Sequence, residues 1–293
     1  MADFERRNSC AARLTAIFLV AAVCGSPMRA QESSPADTSA FRDVMRFAAN
    51  EHLRSRPIGA VMARIGRHFL GTPYVAHTLE RGGAECLVVN LREFDCTTFM
   101  ENVLVLSRCV VMGKTTFAQY EEELQHVRYR GGVIDGYPSR LHYFTDWGFD
   151  NEHKGVLRDL SAALGGNVSR KTINYMSTHP DGYAQLADTA FVRRIAGFES
   201  AMNARGFSVI PRNRVGKILP RLKEGDIIGT VTEIEGMDVA HTGLVVREKG
   251  ILRFMHAPLS GKKVLISDGS LADYVAGLRG VNGIVVLRPS QPR

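Results

Sequence analysis

Three residues in this chain have the types and placement that thiol chemistry requires: Cys96, His241 and His256. Cys96 stands in EFDCTTFMENVLVLSR, where Asp95 precedes an apolar pattern of helical period. That places the cysteine in the first turn of a helix. A thiol is a good nucleophile only as thiolate, and the unpaired N–H groups and macrodipole of a helix start are expected to lower its pKa. The same N–H groups can hold a developing oxyanion. Such a nucleophile needs a base and a group that orients the base. His241 lies in VAHTGLVV and His256 in FMHAP, two strand-like segments joined across a KG turn. A hairpin of that kind brings the two histidines together on one face, depending on register. The residues alone leave other readings open. Cys96 can be a buried small hydrophobe, and the histidines can be ordinary strand residues. A Cys/His/His zinc site is a further possibility, although short-spaced ligand pairs such as C-x-x-C or H-x-x-x-H are absent.

The elements that must position these groups can be read from the pattern. Asp95 is a good N-cap, the helix runs to Met112, and Gly113 is its stop. Phe99, Val103, Leu106 and Val110 mark one apolar stripe to which Cys96 also belongs, and Cys109 reads as a core thiol. Upstream, FRDVMRFAAN and IGAVMARIGRHFLG carry helical spacing, ending at Gly71. TPYVAHTLE follows as an extended segment, and AECLVVNLRE as a strand or buried extended piece. Residues 114–220 are mixed, with helices expected near 182–205. From Gly225 onward, short Val- and Ile-rich runs alternate with tight turns, and LADYVAGL reads as a short helix among them. The fold class is therefore α+β, with N-terminal helices packed on a C-terminal antiparallel sheet.

Composition narrows the function. The chain has 293 residues, 45% hydrophobic and 23% charged, which is globular. Its basic residues are spread along the chain without a cluster, so no nucleic-acid partner is implied. Residues 1–30 combine Arg6, Arg7 and Arg13, the apolar run LTAIFLVAAVCG and a small residue at Ala30, the pattern of a secretory signal peptide. The run is too short for a bilayer span, which needs about 20 residues, so no stable membrane span is expected after cleavage. The expected location is outside the inner membrane, periplasmic or secreted. Residues 31–39 form a polar leader. The first 30 residues hold four basic and two acidic side chains, so their removal lowers the formal net charge from +7 to +5. The remaining cysteines are Cys86, Cys96 and Cys109, an odd number that leaves at least one thiol free. Cys96 and Cys109, thirteen residues apart on one helix, lie roughly 20 Å apart and cannot pair. A pairing of Cys86 with either stays open.

Several ordered motifs carry a resemblance. DCTTFMENVL, GTPYVAHTLE and GDIIGTVT…VAHTGLVV…FMHAP look like the NlpC-type cell-wall cysteine peptidases. LVVNLREFDCTTF, YPSRLHYFTDW, DNEHKG and GIVVLRP are similar to one branch, the N-acetylmuramoyl-L-alanine amidase-like family. The resemblance covers about residues 40–289. It implies a papain-like catalytic domain over 40–289, with an inserted helical subdomain at about 150–220. It implies Cys96 as nucleophile, His241 as base and His256 as orienting residue, with no metal and no cofactor. The implied partner is peptidoglycan, as wall or as fragments, and the implied reaction is cleavage of the amide between N-acetylmuramic acid and L-alanine by a monomer. The resemblance carries Tyr74, Asp95 and Thr97 over as cleft residues, with Asp95 equally able to serve as the helix cap. Ser139 and Arg140 are candidates for substrate carboxylates, and Tyr143 and Trp147 for stacking on a sugar, with core packing the competing role for both aromatics. The alternatives are a D-glutamyl-diaminopimelate endopeptidase of the same clan and a non-catalytic wall-binding module.

Overall fold

The computed structural model describes residues 34–80 and 83–292. The expected signal peptide lies outside the described residues. The helices are α1 (Pro35–Asn50), α2 (Ile58–His68), α3 (Cys96–Met112), α4 (Phe117–Arg128), α5 (Phe144–His153), α6 (Tyr175–Thr178), α7 (Thr189–Arg205), α8 (Val215–Ile218) and α9 (Leu271–Gly277). The strands are β1 (Leu157–Asp159), β2 (Asn167–Val168), β3 (Ser208–Pro211), β4 (Ile227–Thr232), β5 (Val239–Glu248), β6 (Ile251–His256), β7 (Leu265–Ile266) and β8 (Val281–Pro289). All strand pairings are antiparallel, in the order β2-β3-β8-β4-β5-β6-β7, with β1 also on β8. The α+β architecture with helices first and sheet last is the one expected. Among the described residues no helix is long and apolar enough to cross a membrane.

Two expectations need correction. The polar leader does not reach residue 39, because Ser34 caps α1 and the helix begins at Pro35. Its side chain accepts from the Asp37 N–H, and Pro35 suits the first helical position, where no N–H is needed. Of the two forms expected for AECLVVNLRE it takes the second, with no strand and with Leu87 and Val88 buried. The segment 150–220 is not a helical subdomain alone. It contains β1 and β3, both paired with β8, so it is woven into the main sheet. Its helices α6 and α7 do gather a small core of their own around Tyr137, Tyr143, Met176 and Ile195.

α3 is the central element. Every residue from Thr98 to Val110 is buried, so the expected single stripe is a helix enclosed on all sides. Its polar side chains have partners. Arg108 pairs with Glu123 at 2.6 Å, Glu101 with Arg128 at 2.8 Å, and Asn102 donates to the Thr98 carbonyl at 2.7 Å and accepts from Tyr120. Buried polar groups satisfied in this way hold a helix in one orientation, because losing either partner strands the other. α2, α3 and α5 contribute to the main core over one side of the sheet, while α8 and α9 contribute to a second core that includes Ile228, Val245 and Phe254.

α5 is fixed at its start by a residue from another element. The Asp238 carboxylate accepts from the Thr145 N–H and hydroxyl at 2.7 and 2.8 Å, and from the Val239 N–H at 2.7 Å. This ties the first turn of α5 to the first residue of β5. The contact is close enough that β4 needs a glycine beneath it. A Cβ on Gly229 would stand 2.5 Å from the Phe144 ring. Gly229→Ala is therefore expected to push α5 off the sheet and cost about 1–3 kcal/mol. The change should show as a lower urea midpoint with an unchanged slope, and a wild-type midpoint would contradict this packing.

Candidate active site

Cys96 is the first residue of α3. Asp95 caps the helix reciprocally: its carboxylate accepts from the Thr98 N–H at 2.7 Å, and the Thr98 hydroxyl accepts from the Asp95 N–H at 2.9 Å. The N–H groups of Thr97 and Thr242 both reach the Cys96 sulfur, and Thr242 directly follows His241. β5 has a bulge at this point. Thr230 pairs with His241 and Val231 with Val239, which leaves Ala240 as the extra residue. A bulge re-aims the strand locally, here beside the candidate base.

The two histidines meet on adjacent strands. The connecting Lys249 and Gly250 both have positive φ, 49° and 85°, as a two-residue hairpin turn of the primed kind demands. In the resulting register Leu244 lies opposite Met255, which puts Gly243 opposite His256 and makes His241 and His256 a diagonal pair. His241 Nε2 lies 2.6 Å from His256 Nδ1. Gly243 permits this approach, since a Cβ there would stand 2.8 Å from the His256 Cβ and 2.6 Å from the Met255 carbonyl oxygen. The glycine of the AHTG motif thus has a steric reason. Tyr274 of α9 brings its hydroxyl to 3.5 Å from the same His256 nitrogen. It also makes ring contacts with Phe254 and His256, and nothing in its sequence spacing pointed to it.

The electrostatics depart from the expected activation. Burial first, and the Asp95 carboxylate second, push the Cys96 thiol up to about 11. The bonds from Thr242 and Thr97 oppose this without reversing it. Burial lowers His241 to about 4, and burial with the neighbouring His241 lowers His256 to about 3. Thiol and imidazoles are therefore all neutral near pH 7. The helix end supplies donors but does not make a resting thiolate.

Cys96 lies between two concavities. One is a small cavity of about 70 Å³, walled by Met100, Phe144, Trp147, His241 and Thr242 among others. The other is a wider cleft of about 350 Å³, walled by Tyr74, Glu80, Asp95, Arg128, Arg140 and Leu259 among others. Cys96, Thr97, Leu141 and His142 line both. Of the expected substrate residues, Tyr74, Asp95, Thr97, Arg140 and Trp147 line one or both. Arg140 is already engaged, by Glu80 at 2.7 Å and by the Leu79 carbonyl at 2.7 Å. Arg128 is likewise held by Glu101 and by the Val88 carbonyl. Ser139 and Tyr143 are not in these walls. The Ser139 hydroxyl closes a turn with the Gly136 carbonyl, and the Tyr143 hydroxyl donates to Glu199 in the small third core. The sequence reading missed His142, one position past Leu141 in YPSRLHYF, and Leu259 on the loop after β6. Cys96 and Cys109 are free thiols, and burial pushes Cys109 up to about 12. No group of three or more His, Cys, Asp or Glu side chains suited to a metal occurs among the described residues.

Known proteins place this architecture. The fold is that of an amidase-like hydrolase family related to peptidoglycan. The chain belongs to the N-acetylmuramoyl-L-alanine amidase-like family, whose pattern matches residues 64–281. An N-acetylmuramoyl-L-alanine amidase from Bacteroides uniformis is 37% identical, with a TM-score of 0.75 over 80% of this chain and 99% of that one. A Bacteroides fragilis protein provisionally named a xylanase is also 37% identical, with a TM-score of 0.71 over 76% of this chain and 98% of that one. A Legionella pneumophila protein from a family of unknown function shares the fold at 20% identity, with a TM-score of 0.64 over 88% and 96% of the two chains. No curated protein matches.

The neutral histidines have a consequence for stability. The fold holds His142 at about 3, His241 at about 4 and His256 at about 3, all below the ordinary value of 6.5. Between those values the unfolded chain takes up protons that the folded chain refuses, so stability is full above about pH 6.5 and falls as pH drops toward 4. Urea midpoints should decline between pH 6.5 and 5, above the range where ordinary carboxylates titrate; Glu85 and Asp238, which burial holds above that range, act in the opposite sense. A flat midpoint across that window would rule out neutral burial of these rings.

Proposed function

We propose that this chain hydrolyses the amide between the lactyl carbonyl of N-acetylmuramic acid and L-alanine in peptidoglycan, with Cys96 as nucleophile. The observation that carries the reading is the 2.6 Å His241–His256 pair next to a cysteine at a helix start, in a chain of this amidase-like family. The reading includes the NlpC-type clan and a papain-like arrangement of helix-borne cysteine and strand-borne histidines. It includes export past the inner membrane after loss of residues 1–30.

The chemistry follows from the protonation states. For His241 to serve as base, its Nε2–H must donate to His256 Nδ1, 2.6 Å away, and the lone pair must stay on His241 Nδ1. As the sulfur attacks the lactyl carbonyl, the thiol proton passes to that nitrogen. With the thiol near 11 and His241 near 4, proton transfer accompanies attack and does not precede it. The cap occupies the Thr98 N–H, so the Cys96 N–H is the donor placed to face the oxyanion. Tyr74, whose hydroxyl is kept protonated by burial and by the nearby Cys96 and Asp95, stands in the same cleft wall as a second donor. Collapse expels the alanine amine, which takes the proton from His241. Water, deprotonated by His241, then cleaves the thioester.

Two experiments test this reading. Mass spectrometry of digested muropeptides should show release of an intact peptide beginning with L-alanine. A cut between D-glutamate and diaminopimelate would instead support the endopeptidase. Cys96→Ala should lower turnover by at least about 10³-fold, and iodoacetamide should inactivate the wild type. Full turnover by the Cys96→Ala variant would remove the thiol mechanism, and a wall-binding module would show binding without turnover in either form.

A further inference from the structure

The contact between His241 Nε2 and His256 Nδ1 can be made by two arrangements of protons. In the first, His241 carries its proton on Nε2 and donates, His256 Nδ1 is bare, and the lone pair on His241 Nδ1 is free to act as base. In the second, His256 Nδ1 carries the proton and His241 Nε2 accepts. The one proton of a neutral His241 ring then sits on its Nδ1, and the base is lost. Burial keeps both rings neutral in either case. The 2.6 Å distance serves both arrangements equally and does not choose between them.

A third group meets the pair at one nitrogen. The Tyr274 hydroxyl lies 3.5 Å from His256 Nδ1, its one hydrogen-bond partner among the described residues. A phenol O–H can donate to a bare Nδ1 and cannot donate to one that carries a proton. Burial, and then the Cys96 charge, push this hydroxyl up to about 12, so it stays a donor through the neutral range.

α9 holds the hydroxyl in place. Ser270 and Asp273 cap the helix reciprocally, the Asp273 N–H donating to the Ser270 hydroxyl at 3.2 Å and the Ser270 N–H to the Asp273 carboxylate at 2.9 Å. Leu271 and Val275 are buried in the second core and flank Tyr274 along the helix. At the other end the Arg212 guanidinium donates to the Ala276 carbonyl. The Tyr274 ring then packs 4.9 Å from Phe254 and 5.0 Å from His256, centroid to centroid.

We infer that Tyr274 is a positioning residue whose hydroxyl donates to His256 Nδ1 and so favours the proton arrangement that leaves His241 Nδ1 bare. Its consequence for turnover rests on the Cys96–His241 reading above; the proton arrangement itself does not. At 3.5 Å the bond is long, so the bias in the ratio of the two arrangements is about threefold, near the low end for a neutral hydrogen bond.

A two-bond ¹H–¹⁵N spectrum of the whole protein separates protonated from bare ring nitrogens. Near pH 7 the wild type should carry the proton mainly on Nε2 of both His241 and His256. Tyr274→Phe keeps the ring and removes the donor. In that variant the ratio should fall about threefold, and the Nδ1 signals of both histidines should move together toward the protonated position. Wild-type rings protonated mainly at Nδ1 overturn the inference without recourse to a variant, and so do signals that stay in place in Tyr274→Phe. Kinetics supply an independent readout. The variant should lose kcat in step with the fall in the Nε2-protonated fraction, with KM unchanged. A loss of kcat without a change of proton arrangement would mean that the hydroxyl acts by another route, and would overturn the inference. If the wild type cleaves no muramoyl amide, the reaction assignment fails, while the ring spectra still decide the role of Tyr274.

Discussion

The diagonal contact between His241 and His256 is the constraint on which the site depends. It is made on a hairpin whose register cannot slip by one residue without putting the two rings on opposite faces. The Lys249–Gly250 turn fixes that register, and the bare Gly243 leaves room for His256 to lean across. The bulge at Ala240 then aims the end of β5 so that the Thr242 N–H reaches the Cys96 sulfur. Among the described residues no carboxylate raises either ring, and Tyr274 adds only a hydroxyl at its edge. Both rings therefore stay neutral in a dry setting.

The opposite wall is built on a different principle. α3 is enclosed on every side, and its polar side chains are matched by α4, so the start of the helix has little freedom. Tyr74, His142 and Leu259 come instead from segments without regular structure. These are anchored by a few backbone contacts, such as the Tyr74 N–H to the Lys262 carbonyl at 2.9 Å. A rigid mount for the candidate nucleophile, faced by loop-borne walls, is the usual division of labour between positioning and selection.

The sequence disclosed the parts whose chemistry is local. The cap at Asp95, the stop at Gly113 and the Lys-Gly turn are written in single residues, and each lies where its residue type requires. The main strands from Ile227 to Pro289 followed from their β-branched runs. What was not legible depends on distant contacts. β1 and β3 are three and four residues long and exist only because β8 offers them an edge, so their own pattern is too brief to declare them. The stripe on α3 looked one-sided because Asn102, Ser107 and Arg108 are polar, yet each is buried against a specific partner. Ser139 and Tyr143 looked like site residues by their place in a motif. Their hydroxyls are spent on a turn and a satellite core, while His142 between them faces both concavities.

The protonation states give the clearest instance of tertiary structure overriding a local rule. A cysteine at a helix start is expected to ionise readily, because the helix end is positive. Here a carboxylate caps the helix end at the Thr98 N–H, and that same Asp95 opposes a neighbouring thiolate. Burial adds to the effect and also strips the imidazoles of their charge. An ion pair formed before substrate binding would need both partners to charge in a site that disfavours each. In the proposed reaction the carbonyl accepts the sulfur's electrons as the proton leaves. Negative charge then moves from the sulfur, beside Asp95, onto an oxygen that faces the Cys96 N–H. The arrangement thus favours the charge distribution of the transition state over that of a resting thiolate, which is the condition for an interaction to raise turnover and not only binding.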